Sequence, residues 1–566
     1  MYDLVIRNAR IADGLGNPLL EGDLAVSDGR VAAVGKVHQP AAETVDAQGM
    51  VLAPGVIDLH THYDAQLTWD PTASPSPALG VTTVVIGNCG FGIVPAPPAA
   101  RDAILANLAE VEGMSLDTLK AGVRWSFESF GEYLDTLRRQ GVYPNVAALA
   151  SHATIRTVVM GDDSSRRPSR DDELEAMVGL FRDAMDAGAI GFGSSTNENH
   201  RGHGGVPIAS RLAELAEFGA FADAMADYDH GVFLITPGNH MDMDFMEAFA
   251  RRSGRPAVYA AHFHYAHEPE RGRNLMRQAQ AARQRGHRVY TQGSCQPLSL
   301  SFPLDAAYIL KAIDPWPATS DHTELRRIFS APAFRQAFRD ALATPVGGRV
   351  FNGRWDWVLV TRAGRSENAE LENQTVADIA RARGVDPLDL FLDLALQEDF
   401  ETFYTVYILN MDEAGVEELI TNDGTLVSLS DAGAHNALLC DAAYAMHLLS
   451  HWVRDKGVFD LPTAIRKVTS DPAEVYGIID RGRLVPGAFA DMILFDPDTL
   501  RITGVERHHD LPAGGERLLR RAPGLCGTWV NGVQVFDGVD YLMPPRAPGE
   551  VLTAFASGKA MLGMSA

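Results

Sequence analysis

Between Val56 and Asp431 the chain alternates between short apolar runs that end on a polar residue and longer stretches with helical spacing. The runs end near His62, Cys89, His152, Thr196, Thr236, His264, Ser294 and Asp431. Helical patterns lie between several of them, at Asp171 to Ala187, Leu212 to Asp227, Phe245 to Arg252 and Asn274 to Arg285. Parallel strands need a crossover of a dozen or more residues, which strict alternation supplies. Eight such units predict a (β/α)8 TIM-like barrel, with a doubly wound open sheet as the alternative. In a barrel, the polar residue at the C-terminal end of each strand falls on the face where active sites are built.

The connection from Ser294 to Thr425 exceeds any ordinary loop and holds its own helical patterns, Glu324 to Ala341 and Asp386 to Gln397. It reads as a subdomain over 296–424, inserted between strands 7 and 8 and placed to act as a lid. Ahead of the barrel, Leu4 and Ile6, Ala9 and Ile11, then Leu24, Val26 and Val31 alternate as half-buried strands, with Asp28-Gly29 as a hairpin turn. Similar strands return at 490–495 and 528–535. The expected division is therefore a composite β-sandwich of 1–54 with 481–566 around a barrel of 55–480.

A net charge of −24 argues against nucleic acid as a partner, because phosphate binding needs basic surface. The apolar runs stay short of the roughly 18 residues expected of a spanning helix, so no membrane association is expected. The start, MYDLVIRNARIADG, lacks a signal-peptide pattern, and the expected setting is the cytoplasm. Four cysteines without a Cys-x-x-Cys pair read as reduced thiols, one of them a candidate ligand. A homo-oligomer remains open.

The chemistry begins at PGVIDLHTHYD. Residues i and i+2 of a strand share a side, so His60 and His62 face one way, as the first ligands of a zinc-type metal do. Alone, such a pair is as readily a core or surface feature. Cys89 in GNCGFG ends the second strand, where a thiolate can join them. His262 and His264 end the sixth strand with the same spacing, and Asp431 ends the last, with His435 shortly after. Imidazoles and a carboxylate from different strands at one mouth are what a hydrolytic metal centre requires. Asp431 is the candidate general acid/base, with a helix cap as the bland alternative. The loop STNENHRGHGG brings His200, Arg201 and His203, and SHATIR brings His152 and Arg156 as candidate pocket residues.

Together, PGVIDLHTHYD, GNCGFG, YTQGS, SDAGAH and VPGAFADMILFDP resemble the amidohydrolase superfamily, specifically its N-acyl-D-amino-acid deacylase (D-aminoacylase) branch. The resemblance runs from about residue 2 to residue 538. It implies a barrel with a small terminal β-sandwich and one or two zinc ions per chain. By that resemblance His60, His62, Cys89 and His262 become ligands, and Asp431 the general acid/base at the metal. Tyr290 and Ser294 match positions that hold the substrate's carboxylate.

Three departures stand against the branch pattern. Thr236-Pro237 falls where a Thr-His is usual, which leaves His240 as a substitute ligand to consider. His264 occupies the place of a common Lys. The segment HNALLCDAAY lacks a His-Pro-Arg run, so Arg201 is the candidate replacement for a carboxylate clamp. The expected activity is zinc-dependent hydrolysis of a linear amide, an N-acyl-D-amino acid or related compound. A cyclic or carboxylate-free amide is the alternative substrate, and a non-catalytic barrel subunit the alternative of another class.

Overall fold

A computed structural model of the chain describes residues 1–556 except 308, 312, 345, 347, 348 and 350. The stretch 557–566, assigned above to the terminal domain, lies outside the described residues. Eight strands form one all-parallel sheet: β1 (Val56–Asp58), β2 (Val81–Ile86), β3 (Asn145–Ser151), β4 (Gly191–Ser195), β5 (Val232–Thr236), β6 (Ala257–Tyr259), β7 (Val289–Gly293) and β8 (Thr425–Val427). Each pairs with the next in chain order, so the sheet curls as a barrel rather than reversing as a doubly wound sheet does. At the seam, Leu59 N donates to Ser428 Oγ at 2.9 Å, and that hydroxyl donates to Ile57 O at 2.8 Å. Thr61 also bridges Ala432 in parallel. One hydroxyl that accepts and donates thus stands in for a backbone ladder between β1 and β8.

Apolar residues one step apart face opposite layers. Ile57, Val85, Leu149, Ile190, Leu234, Val258 and Leu426 fill the inside of the barrel. Outward, Phe192 stacks on Phe221 at 4.4 Å and Phe233 on Phe249 at 3.8 Å, beneath the helices. The four helices read from spacing occur at Asp171–Asp186, Leu215–Ala226, Met243–Ser253 and Pro269–Gln284. Asp242 starts the third by accepting from Phe245 N, and Gly254 ends it at φ +67°, where a side chain would be strained.

The insertion has a three-stranded antiparallel sheet, with Phe403–Leu409 between Leu298–Pro303 and Val358–Arg362. The helical stretch expected from Glu324 to Ala341 is two helices, His322–Phe329 and Pro332–Ala343. Pro332 cannot donate to the preceding turn, so it ends one helix and opens the next. Phe302, Phe329, Phe338, Phe391 and Tyr404 give the insertion a core of its own, each side chain contributing about 1.5–3 kcal/mol on burial. Phe263, after β6, and Leu429, after β8, join that core, so the insertion packs at the C-terminal mouth of the barrel.

Both ends of the chain meet in a second, mixed eight-stranded sheet, where Met492–Phe495 runs antiparallel to Val51–Pro54. Within its long strand Tyr2–Ile11 the buried set changes from Leu4 and Ile6 to Ala9 and Ile11. The change of parity is a β-bulge, with Asn8 at φ +56°.

Three barrel strands are shorter than their apolar runs suggest. β1, β6 and β8 end at Asp58, Tyr259 and Val427, and the chemistry-bearing residues follow on irregular backbone above the sheet. Cys89, Asp431 and His435 all lie at positive φ, +53°, +50° and +48°. Non-glycine residues held there cost about 1–3 kcal/mol each and concentrate at functional sites.

Candidate metal centre

At the C-terminal mouth, one ligand atom each from His60, His62 and Cys89 lies within 4.8 Å of the others, and all three residues are buried. Asp431 Oδ1 stands 3.4 Å from His60 Nε2 and 3.5 Å from His62 Nε2. Cys89 Sγ lies 3.4 Å from His60 Nε2.

Local structure explains why these atoms converge. Asn88 donates to both Thr61 O and Val85 O, which ties the Cys89 turn to the end of β1. Gly87, at φ +80°, lies so close to β3 that a Cβ there would meet Leu149 O at 2.4 Å. Gly433, at φ +93°, lets the Asp431 loop press on the backbone of His62.

The imidazoles are oriented from behind. Gln292 Nε2 donates to Ser428 O at 2.8 Å, which turns Gln292 Oε1 toward His60 Nδ1 at 3.0 Å. His60 therefore carries its proton on Nδ1, and Nε2 presents a lone pair to the cluster. His62 Nδ1 faces Glu112 Oε1 at 3.3 Å, at the end of the helix Arg101–Glu112. Burial pushes the Glu112 carboxyl up to about 8, against the pull of His62. Burial also resists ionisation of Cys89, but the two histidines hold its thiol down at about 6. Burial likewise opposes charge on Asp431, yet its contacts with His62 and His60 keep it well below the usual carboxylate range. Two imidazoles and a thiolate so placed suit a zinc ion, with the carboxylate of Asp431 beside them.

Glu112 is expected to set metal affinity. Glu112→Gln keeps the size but replaces the carboxyl that faces His62 Nδ1 with an amide that cannot ionise, and should weaken zinc binding about 10- to 100-fold in a chelator competition. Unchanged affinity would assign Glu112 to packing alone.

Other expected site residues lie elsewhere. His262 is buried with both ring nitrogens unpartnered among the described residues, and its Nε2 faces Gly272 rather than the cluster. The backbone leaves the ladder three residues earlier, at Tyr259, and turns the ring toward the helix Pro269–Gln284. His264 packs on Gly415 of the insertion, its Nε2 3.4 Å from Asp412. His240 is exposed on the loop after β5, outside the cluster, and Arg201 is exposed on the loop after β4.

His152 is a satisfied core histidine. Its Nδ1 pairs with Ser194 Oγ at 2.8 Å and its Nε2 with Glu217 at 2.7 Å, so it offers no free atom to a pocket. Tyr290 sits near the start of β7, against the lower interior layer and beneath Arg283, away from the mouth. Ser294 is buried just past the end of β7, where its carbonyl accepts from Asn410 Nδ2.

The structure adds residues that the motifs left out. Gln292 and Glu112 stand behind the imidazoles, and Thr236 Oγ1 lies 3.1 Å from Cys89 Sγ. Gln292 had a signal: it shares the inward parity of Tyr290, two residues nearer the mouth.

A barrel with a thiolate, two imidazoles and a carboxylate at its C-terminal mouth has the site of a metal-dependent hydrolase. The chain belongs to the amidohydrolase family, whose model matches residues 43–536. It is similar to a D-aminoacylase of Alcaligenes xylosoxydans xylosoxydans, at 28% identity over 95% of each chain. It also resembles an N-acyl-D-aspartate deacylase of the same organism, at 29% identity over 97% of this chain and 95% of the relative. Among solved structures, an N-acyl-D-glutamate deacylase of Bordetella bronchiseptica, complexed with zinc and a phosphonate inhibitor, superposes with a TM-score of 0.65. It is 26% identical, with 98% of this chain and all of that one covered. A D-aminoacylase described as having a binuclear metal centre shares the fold at a TM-score of 0.67 and 24% identity over the same shares of the chains.

Proposed function

We propose that this chain is a zinc-dependent amidohydrolase that cleaves a linear amide, an N-acyl-D-amino acid or a closely related N-acyl compound. The observation that carries the reading is the His60, His62 and Cys89 cluster with Asp431 against both imidazoles. The relatives, which act as deacylases of N-acyl-D-amino acids, support the substrate class.

In this reading His60, His62 and Cys89 would hold zinc, with Asp431 beside them. When bound there, zinc supplies Lewis acidity, which brings a water's pKa to about 7 and polarises the scissile carbonyl. Asp431, ionised beside the cluster, accepts the proton of the attacking water. It then returns that proton to the nitrogen of the leaving amine. Gln292 and Glu112 keep both rings aimed throughout, so no reorganisation is needed during the reaction.

Recognition of the rest of the substrate falls to the mouth. Ser294 and the loop carrying Arg201 are proposed to meet it, and the insertion over 296–424 to cover it. A domain of 1–54 with 481–566 around a barrel of 55–480 is the division we propose. Its support is that each sheet has its own core. Among the described residues, no helix is long and apolar enough to cross a membrane. The four cysteines are free thiols, which supports a reducing, cytoplasmic setting.

A second reading, a cyclic or carboxylate-free amide, is favoured by the missing Lys and Arg at the branch's carboxylate positions. One panel separates the two: zinc-loaded protein with N-acyl-D-amino acids, their L forms, a hydantoin and an anilide. Amine release from the D compounds alone is expected. Equal rates on both enantiomers reject D selectivity, and turnover of only the carboxylate-free amides selects the second reading.

A further inference from the structure

We infer that His200, from the loop after β4, is a metal-binding imidazole of this centre and stands in for the one that Thr236-Pro237 omits. The inference rests on the metal reading above. Its evidence is the hydrogen bonding behind the ring. Ser195 Oγ donates its single proton to Thr236 O at 3.1 Å and accepts from Asn197 N at 3.2 Å. With the Ser195 proton on Thr236 O, the contact between Ser195 Oγ and His200 Nδ1, at 2.7 Å, is donated by the imidazole. His200 accordingly carries its proton on Nδ1 and presents a bare lone pair at Nε2. The same device, with Gln292 in place of Ser195, aims His60 Nε2 at the cluster. It is the arrangement in which a second partner fixes the tautomer of a metal-binding histidine.

The ring also lies beside the centre, outside the three residues whose ligand atoms fall within 4.8 Å of one another. Its anchor ends on Thr236, whose own hydroxyl touches Cys89 Sγ at 3.1 Å. The imidazole packs edge-on against Phe91, two residues beyond Cys89, with ring centres 5.3 Å apart. It also lies near enough to Asp431, His60, His62 and His435 to feel their charges. Nε2 makes no hydrogen bond among the described residues. Thr236, one residue before the proline that takes the histidine's place, thus offers its hydroxyl to Cys89 and its carbonyl to the support of an imidazole delivered by the neighbouring β4.

The test is zinc and cobalt titration of the metal-stripped full chain against a chromophoric chelator. Wild type, His200→Ala, His200→Gln and His240→Ala are compared, with circular dichroism to establish folding. His200→Gln fills the space without an imidazole lone pair, so it keeps the test open if the alanine variant does not fold. Loss of His200 is expected to weaken at least one bound zinc tenfold or more and to alter the visible cobalt spectrum. His240→Ala should change neither. Zinc affinity within twofold of wild type, with an unaltered cobalt spectrum, overturns this inference alone. Failure of the wild type to take up metal overturns the metal reading and this inference with it.

Discussion

Asp431→Asn is expected to lower kcat by about 10⁴-fold, the upper end of what one positioned general acid/base contributes. Asparagine matches the shape of aspartate and still offers an oxygen to His60 and His62, which stand 3.4 and 3.5 Å away. It cannot take a proton from water or return one to an amine. The loss should therefore fall on kcat, with zinc content and circular dichroism close to wild type. Activity within tenfold of wild type, at full zinc occupancy, would remove Asp431 from the proton transfers and require another base at the mouth. His435 would then be the next residue to test, because it follows one turn later and feels the charge of Asp431.

The second large effect concerns stability, and it is expected far from any substrate. Glu217 is buried between His152, at 2.7 Å, and the guanidinium of Arg156, and it accepts from Ser169 Oγ at 2.7 Å. Burial alone would raise its pKa, but His152 and Arg156 outweigh that and hold it at about 2. Burial keeps His152 itself low, so the lasting charge pair is Glu217 with Arg156. Glu217→Ala leaves that guanidinium buried without its counter-charge, which costs about 3–5 kcal/mol. The measurement is the midpoint of chemical denaturation, beside an exposed control such as Glu175→Ala, which should shift little. The pH dependence has a definite sign. A carboxyl lowered from about 4.3 in the unfolded chain to about 2 stabilises fully above the first value. That contribution fades as pH falls toward 2 in the wild type, and it is missing from the variant. A variant as stable as wild type at neutral pH would show that the pair merely offsets its own desolvation.

The fold was legible because its signals are periodic. Eight apolar runs interrupted by helical stretches leave few alternatives to a barrel. The shift from Leu4 and Ile6 to Ala9 and Ile11 even carried the bulge of the first strand. The site was legible only in part, because sequence spacing finds residues at strand ends but not where their rings turn. His60, His62 and Cys89 converge as their motifs suggest, whereas His262, at an equivalent spacing, turns toward Gly272. His152 has the same residue type at a strand end, yet two side chains distant in sequence, Ser194 and Glu217, occupy both its nitrogens. Glu112 carried a quieter signal. An acid in the last turn opposes the helix dipole, a local conflict of the kind found at functional sites.

The seam between β1 and β8 gives the enzyme an order of assembly. Leu59 and Ser428 are 369 residues apart in the chain, and beyond them His60 and Asp431 face each other across the same join. During synthesis the N-terminal parts of a chain fold first. The ribosome must therefore deliver all eight barrel strands and the whole insertion before Asp431 can meet the histidines. The Asp431 carboxylate reaches its partners only when the ring closes. An unfinished chain can carry both imidazoles and the thiol, but not the carboxylate that faces them.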